Sequence, residues 1–247
     1  MAPAYNATKK SNSNAEEHYE RTKARIEKIQ SHFAKGARGT RMQDKVTVIE
    51  ADAANEAAIE GVCKQALKEE GKLDVFFANA GVATTQPLET TTAESYMNTM
   101  RINGLSVFLA IKYASAAMKQ TNASVGKVYS GGSIIVTASD SASKAAVNSM
   151  AMTSAFQLQK TDIRVNSICP GLIETGMTGA TFDYARSRGA TGKVGQLNPL
   201  GRYGVAEEIA QAALFLGSDD SSYINGQALA VDGGLSASHP VVPGRWA

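Results

Sequence analysis

The sequence predicts an α/β fold in which a mainly parallel, doubly wound sheet is covered by helices on both faces. Two observations carry this prediction. From Lys45 onward, short runs of apolar and β-branched residues alternate with longer stretches of helical periodicity, which is typical of β-α-β units. These runs also lack a polar face, as in Ile134-Ile135-Val136, and strands that are buried on both sides have this composition.

The first predicted element is a helix over residues 13–36. Its start fits a capping box, Ser13-x-x-Glu16, and its apolar residues recur every three or four positions until Gly36. Residues 1–12 are polar and show no periodicity, so we expect a flexible arm there. No linker or internal repeat interrupts the chain afterwards, and residues 13–247 are therefore expected to form a single domain.

Strands and helices alternate in the rest of the chain. The β-branched run Val46-Thr47-Val48-Ile49 favours a strand over residues 45–50, and the next helix places Ile59, Cys63 and Leu67 on one inward face. Cys63 is therefore expected to be a core residue. The further strands are predicted at 74–78, 133–138, 163–168 and 227–231, and the helices at 55–70, 91–119, 141–159 and 205–217.

The composition argues against several classes of function. Lys and Arg number 25 against 23 Asp and Glu, and the net charge of +2 is too weak to indicate a nucleic-acid partner. No apolar stretch approaches the ~20 residues that span a bilayer, so we expect no membrane association. Cys63 and Cys169 stand outside any metal-ligand spacing, and we expect no metal site and a cytoplasmic protein with reduced thiols.

The candidate site lies where the predicted strands end, because open parallel sheets bind ligands at the carboxyl ends of their strands. Taken alone, Asp52 or Asn55 is explained equally well as a helix cap, and Ser139 as a cap after a strand. The residues that follow four of the strands are Asp52, Asn79-Ala80-Gly81, Ser139, and Pro170-Gly171-Leu172-Ile173-Glu174-Thr175.

Taken together, these segments resemble the short-chain dehydrogenase/reductase family. Residues 133–139 and the following Ser141-Ala142-Ser143-Lys144 resemble its active-site segment, and Arg101-Ile102-Asn103-Gly104 resembles the helix that carries its catalytic asparagine. Asn79-Ala80-Gly81 resembles the family's N-N-A-G segment, and residues 170–175 resemble its P-G-x-I-x-T segment. The resemblance extends over about residues 13–247 and implies a Rossmann-like fold.

The resemblance implies an NAD- or NADP-dependent oxidoreductase that acts on a small-molecule alcohol or ketone as a homo-oligomer, a dimer or tetramer. The matching catalytic positions are Ser139, which would orient the substrate carbonyl, Lys144, and Asn103, which would hold a water in the proton relay. Asp52 would meet the adenine ring, and Ile173 the nicotinamide carboxamide. The full set of matching cofactor positions is Asp52, Asn79, Ala80, Gly81, Lys144, Pro170, Gly171, Ile173 and Thr175.

The chain departs from the family pattern at Asp140. The family has a tyrosine four residues before the lysine, and this tyrosine donates the proton. A tyrosine, with a pKa of ~10, is protonated at neutral pH, whereas an aspartate, at ~3.9, is ionised. Loss of a positioned proton-transfer group removes ~10²- to 10⁴-fold in rate, so weak activity is expected. The few residues between Ser139 and Lys144 indicate a deletion rather than a single substitution.

A second departure lies ahead of residue 45. The family begins with a strand, a Gly-rich turn and a helix whose N-terminus holds the cofactor pyrophosphate. Here Gly36-x-x-Gly39 follows a predicted helix and precedes a strand, which is the reverse of the required context. We therefore expect a sheet that is incomplete in its N-terminal part, and the choice between NAD and NADP stays open. Two alternatives also remain, a non-catalytic partner subunit and the unstable product of an incomplete gene model.

Overall fold

The computed structural model describes residues 47–83, 87–138 and 142–237. The chain divides into two compact units, residues 1–50 and 51–247, and residues 47–50 are the described part of the first. The arm and the helix predicted within residues 1–36 lie outside the described residues. So do Ser139 and Asp140.

The second unit alternates strands and helices, as the sequence predicts. Its strands are β1 (Val75–Ala78), β2 (Gly132–Thr137), β3 (Ile163–Pro170), β4 (Ile173–Glu174), β5 (Gly204–Val205) and β6 (Ala228–Val231). Its α-helices are α1 (Glu56–Glu70), α2 (Ala93–Met100), α3 (Ser106–Met118), α4 (Ala142–Gln157), α5 (Gly179–Ser187) and α6 (Ala206–Gly217). A π-helical turn, Arg101–Leu105, joins α2 to α3, and short 3-10 turns occur at Leu88–Thr90, Ala123–Val125, Thr191–Lys193 and Asp219–Ser221.

The main sheet is parallel, with the strand order β1-β2-β3-β6. Val75 lies opposite Ser133, Ile134 opposite Val165, and Ile168 opposite Leu229, so the carboxyl ends of all four strands reach one edge. A second sheet of two short strands pairs β4 with β5. The predicted α/β fold with a parallel sheet is confirmed, as are the last four of the five predicted strands.

The strand predicted over residues 45–50 is wrong for its described part. Residues 47–50 have no regular structure, and Val48 and Ile49 are 52% and 43% exposed. Residues 45 and 46 lie outside the described range. A β-branched run favours a strand only where a neighbouring strand can satisfy its backbone groups, and pattern alone supplies no such neighbour.

The sheet is covered on both faces. On one face, Ile134 and Val136 of β2 pack with residues of α1, α3 and α4 in a core that includes the buried Cys63, as predicted. On the opposite face, Ile135 of β2 packs with Leu216 of α6. Alternate residues of one strand thus enter two cores, which explains why the strand sequences have no polar face.

Helix α1 begins and ends where its sequence indicates. The Asn55 side chain accepts a hydrogen bond from the Ala58 N–H at 3.0 Å, which caps the first turn. Gly71 ends the helix with a left-handed φ of 73°. Asn55, rather than Asp52, is therefore the N-cap.

Among the described residues, none of the helices combines the length and apolar character that a membrane span requires.

We expect Gly132→Ala to lower the free energy of unfolding by about 1 to 3 kcal/mol, because it overpacks the start of β2. Gly132 has a φ of 157°, and a Cβ there would lie 2.7 Å from the Met118 Sδ and 2.8 Å from the Asp74 carbonyl oxygen. Gly61→Ala is the matched control, since a Cβ at this α1 position meets nothing within 4 Å. It should raise stability by about 0.5 to 1 kcal/mol. Urea unfolding measures both, and equal stabilities would contradict this packing.

Candidate active site

Asn103 is buried in a π-helical turn within a longer helical segment. The predicted helix over 91–119 is interrupted by the π-helical turn Arg101–Leu105, and Asn103, in its middle, is 2% exposed. Its Oδ1 accepts a hydrogen bond from the Val82 N–H at 2.8 Å, and its Nδ2 donates to the Val82 carbonyl at 2.9 Å. The same Nδ2 donates to the Ser143 Oγ at 3.1 Å. One amide therefore joins the loop after β1 to the start of α4.

Lys144 lies in the first turn of α4 and is 8% exposed. Its ammonium group donates a hydrogen bond to the Thr137 carbonyl, the last residue of β2, at 2.6 Å. The Thr137 hydroxyl in turn donates to the Asn79 Oδ1, just after β1, at 2.6 Å. This chain of contacts holds the ammonium group at the carboxyl ends of β1 and β2.

Gly81 lies against both groups. A Cβ at this position would come within 3.2 Å of the Asn103 Oδ1 and within 3.2 Å of the Lys144 Nζ. A side chain here would crowd the amide and the ammonium group, and a glycine avoids this contact. Asn79, Gly81, Asn103 and Lys144 thus converge, and we name them the carboxyl-edge cluster.

The ammonium group of Lys144 is held in a largely dry environment. Burial lowers its pKa below the usual 10.5, and an electrostatic interaction with Cys169 opposes this effect. Cys169 belongs to the carboxyl end of β3, so the interaction brings this strand end close to the cluster. A lysine of this kind gives up its proton more readily than an exposed one, and its N–H groups remain donors for hydroxyl oxygens.

The lowered pKa of Lys144 predicts the direction in which the free energy of unfolding changes with pH. The unfolded chain holds this proton more tightly, so the contribution of Lys144 to the free energy of unfolding should rise as the pH increases from the folded-state pKa toward 10.5, and should be constant at its lower value below that window. Burial lowers the pKa of Lys127 as well, and that lysine contributes in the same window.

Urea midpoints measured between neutral pH and pH ~10 test this prediction. The change with pH should be less favourable in Lys144→Met than in the unsubstituted protein, because the contribution of Lys144 is then missing, whereas those of Lys127 and of Cys63, whose pKa burial raises to about 11 and which acts in the opposite direction, are unchanged. Lys64→Met, a substitution in α1 at a side chain that is 69% exposed, should leave the rise intact. Equal slopes in all three proteins would show that Lys144 titrates as it does in the unfolded chain.

The segment after β3 is built by close backbone approach. The Gly171 N–H donates to the Val231 carbonyl at 3.0 Å, and a Cβ at Gly171 would lie 2.7 Å from the Asp232 Cα. Pro170 ends β3, and the buried Ile173 pairs with Gly204 in the small sheet. This geometry explains the proline and glycine that the sequence places there.

Thr178 folds the chain beyond Ile173. Its hydroxyl donates to the Ile173 carbonyl at 2.6 Å and accepts a hydrogen bond from the Thr175 N–H at 3.0 Å. The side chain of Thr175 stays on the surface. Ile173 and Thr175 are the predicted contacts for the nicotinamide end of a cofactor. The structure positions them directly after the carboxyl end of β3, which adjoins Lys144.

Asp52 lies apart from the cluster and is already paired. Its Oδ1 accepts a hydrogen bond from the Ala54 N–H at 2.9 Å, and its Oδ2 binds Arg101 Nη1 at 2.9 Å. The backbone bond from Ala54, followed by the Arg101 guanidinium, holds the pKa of this carboxyl below its usual range. Because a carboxylate has about four acceptor sites, acceptor capacity remains for a further donor. Arg101 adjoins Asn103 in the π-helical turn and so links Asp52 to the cluster.

Sequence reasoning missed three members of this network: Val82, Thr137 and Ser143. Thr137 ends a predicted strand, so the strand-end criterion could have found it. Ser143 precedes Lys144, but nothing in the sequence pairs it with a residue 40 positions earlier.

Ala80 is exposed beside Asn79. Among the described residues, no group of three His, Cys, Asp or Glu side chains could hold a metal ion.

Comparison with known proteins supplies an independent line of argument. A family model described as enoyl-(acyl carrier protein) reductase matches residues 13–236. The chain is 37% identical over 181 residues to 3-oxoacyl-(acyl-carrier-protein) reductase of Thermotoga maritima, covering 72% of each chain. It is 34% identical over 204 residues to cyclopentanol dehydrogenase of Comamonas sp., covering 80% of each chain.

A solved structure agrees with these relatives. The gluconate 5-dehydrogenase of Burkholderia cenocepacia, in complex with NADP and tartrate, superposes with a TM-score of 0.67. It is 27% identical, and the match covers 76% of this chain and 74% of that one. The family model, the relatives and the parallel sheet with its strand-end residues agree. The chain belongs to the short-chain dehydrogenase/reductase family.

Proposed function

We propose that the chain is an NAD(P)-dependent oxidoreductase that interconverts a small alcohol and the corresponding ketone. The observation that carries this proposal is the convergence of Gly81, Asn103 and Lys144 at the carboxyl edge of the sheet, where ligands of open parallel sheets bind. The cyclopentanol dehydrogenase relative and the NADP-bound structural neighbour support the substrate class and the type of cofactor.

The residues of the carboxyl edge fit a dinucleotide, since the Lys144 ammonium group and the Asn79 amide supply polar groups there, beside backbone that Gly81 holds close to Asn103 and Lys144. When bound, the nicotinamide would accept or supply the hydride. Lys144 would donate hydrogen bonds to it from a dry position, and Asn103 would hold the loop after β1 in place. The other residues proposed to hold the cofactor are Asp52, Asn79, Ala80, Pro170, Ile173 and Thr175, and Ser139 would orient the substrate carbonyl.

We further propose that turnover is slow, because Asp140 stands where the family has its proton-donating tyrosine. Keeping an aspartate protonated at pH 7 needs a pKa about three units above the usual ~3.9, or ~4 kcal/mol, and a lysine ammonium four residues later in the sequence would act in the opposite direction. The proposed lack of a Gly-rich turn ahead of residue 45 weakens the hold on the cofactor pyrophosphate for the same chain.

A second candidate function, that of a partner subunit, is favoured by the apolar surface of three helices. Large exposed apolar patches on soluble proteins mark interaction sites. Helices α3 and α4 contact each other, and either an intact family relative or a second copy of the chain would cover their surface. The exposed residues on α2, α3 and α4 are Tyr96, Met97, Phe108, Met152 and Phe156.

Turnover assays separate the two candidates. The purified full chain is supplied with cyclic alcohols and NAD or NADP, and with cyclic ketones and the reduced cofactors, while the reduced nicotinamide is monitored. We expect slow turnover with one cofactor pair, which is lost in Lys144→Met. A folded protein that turns over no pair, binds no dinucleotide and co-purifies with an intact relative would establish the second candidate instead.

A further inference from the structure

Asp52 is anchored at both oxygens of its carboxylate. Its Oδ1 accepts a hydrogen bond from the Ala54 N–H at 2.9 Å. Its Oδ2 accepts a hydrogen bond from the Arg101 Nη1, also at 2.9 Å. Because both oxygens are bonded, the plane of the carboxylate is fixed, and the acceptor sites that remain on each oxygen have set directions.

Arg101 approaches Asp52 from the helical segment that carries Asn103. It is the first residue of the π-helical turn Arg101–Leu105, and 49 positions separate it from Asp52 in the sequence. Turns of this kind frequently occur at functional sites. Two residues later in the same turn, the Asn103 Oδ1 accepts a hydrogen bond from the Val82 N–H at 2.8 Å. One turn thus contacts both the segment ahead of α1 and the loop after β1.

The ion pair suits ligand binding better than it suits stabilisation of the fold. The side chains of Arg101 and Asp52 are 45% and 52% exposed, and ion pairs this accessible contribute little to stability. The bond from Ala54, followed by that from Arg101, holds the pKa of Asp52 below its usual range, so the carboxylate is ionised at neutral pH. An ionised carboxylate only accepts hydrogen bonds. It therefore favours an N–H donor of a ligand and disfavours a ligand oxygen.

We propose that Arg101 is a positioning residue for the purine end of the cofactor, because it holds the Asp52 carboxylate in the orientation that accepts from an exocyclic amine. This inference rests on the proposed function, in which Asp52 meets the adenine ring. Adenine carries an amine at C6, whereas hypoxanthine carries an oxygen there, which a carboxylate repels. A carboxylate that was free to turn could instead accept from the N1–H of hypoxanthine, so the preference for adenine depends on Arg101.

Binding of three reduced nicotinamide compounds to the purified full chain tests this inference. They are NADH, reduced nicotinamide hypoxanthine dinucleotide, and reduced nicotinamide mononucleotide, which lacks a purine. We expect NADH to bind about tenfold more tightly than the hypoxanthine dinucleotide, the effect of one hydrogen bond to a charged group. Arg101→Met should bring this ratio close to one and leave the affinity for the mononucleotide unchanged. Arg101→Lys, which can still donate to Asp52, should keep most of the ratio.

Lys112→Met is the matched control. The Lys112 Nζ forms an ion pair with the Glu56 Oε1 at 2.6 Å, and the two side chains are 48% and 56% exposed. This pair also joins the start of α1 to the helical segment around Asn103, but neither residue is among those proposed to hold the cofactor. The control should bind the three compounds as the unsubstituted chain does. Thermal melting followed by circular dichroism verifies that every variant is folded.

The possible results separate this inference from the proposed function. Equal binding of the two dinucleotides by the unsubstituted chain would overturn the inference and leave the proposed function intact. So would an Arg101→Met variant that keeps the full ratio. A variant that loses affinity for all three compounds alike would assign Arg101 a purely structural role. A folded unsubstituted chain that binds none of them would contradict the proposed function itself, and the inference with it.

Discussion

Replacing Lys144 by methionine should lower kcat/KM by about 10²- to 10⁴-fold, the range that is typical for loss of one positioned catalytic group, because it removes the proposed hydrogen-bond donor to the cofactor. The substitution removes the ammonium group that bonds to Thr137 and faces Gly81, but it keeps an unbranched side chain of similar length in a site that is 8% exposed. Because burial already disfavours the charge, the fold should be as stable at neutral pH as before, or more so. Loss of turnover would then report on chemistry rather than on unfolding.

Two measurements complete this experiment. Lys64→Met, at an exposed position of α1, should leave kcat/KM unchanged. Urea unfolding of both variants verifies that each is folded under the assay conditions. Turnover by folded Lys144→Met at the level of the unsubstituted protein would remove Lys144 from the mechanism.

Replacing Asn103 by leucine should lower the free energy of unfolding by about 2 to 4 kcal/mol. The substitution removes the two hydrogen bonds to the backbone of Val82, and each such bond contributes about 0.5 to 1.5 kcal/mol to stability. It also breaks the contact with Ser143 at the start of α4. Chemical denaturation followed by circular dichroism measures the change.

The matched control is Asn98→Leu, an exposed asparagine of the preceding helix. It should alter the free energy of unfolding by no more than about 0.5 kcal/mol. Equal stabilities of the two variants would mean that the Asn103 amide does not join the loop after β1 to α4. A destabilised Asn103→Leu with unchanged dinucleotide affinity would limit its role to the fold.

Sequence patterns predicted the strands and helices whose residues follow a local periodicity, and the strands that are buried on both faces of the sheet. Strands such as β2 carry apolar residues on both faces, and Ile134 and Ile135 do enter opposite cores. The strand over 45–50 failed in its described part because pairing depends on a neighbour in space, which the run Val46-Thr47-Val48-Ile49 cannot specify. Helix α5 was not predicted either, since it is short and buries only Phe182 and Ala185.

Only part of the candidate site was predicted from the sequence. Gly81, Asn103 and Lys144 were found because each lies at a position that the family pattern marks, and the structure brings them together. The π-helical turn at Asn103 left no signal in the sequence pattern, so residues 91–119 were predicted as one helix. The bond between Asn103 and Ser143 is a tertiary contact that spacing does not reveal. The roles of Ser139 and Asp140, outside the described residues, remain predictions.

Calorimetric titration of the full chain with NADH and NADPH tests the central proposal most directly. We expect saturable binding of one dinucleotide per chain, weakened by the proposed lack of a Gly-rich phosphate turn and weakened further in Lys144→Met. Lys64→Met should bind as the unsubstituted chain does. Absence of binding by a protein that unfolds cooperatively would contradict the proposal that the carboxyl-edge cluster holds a nicotinamide cofactor.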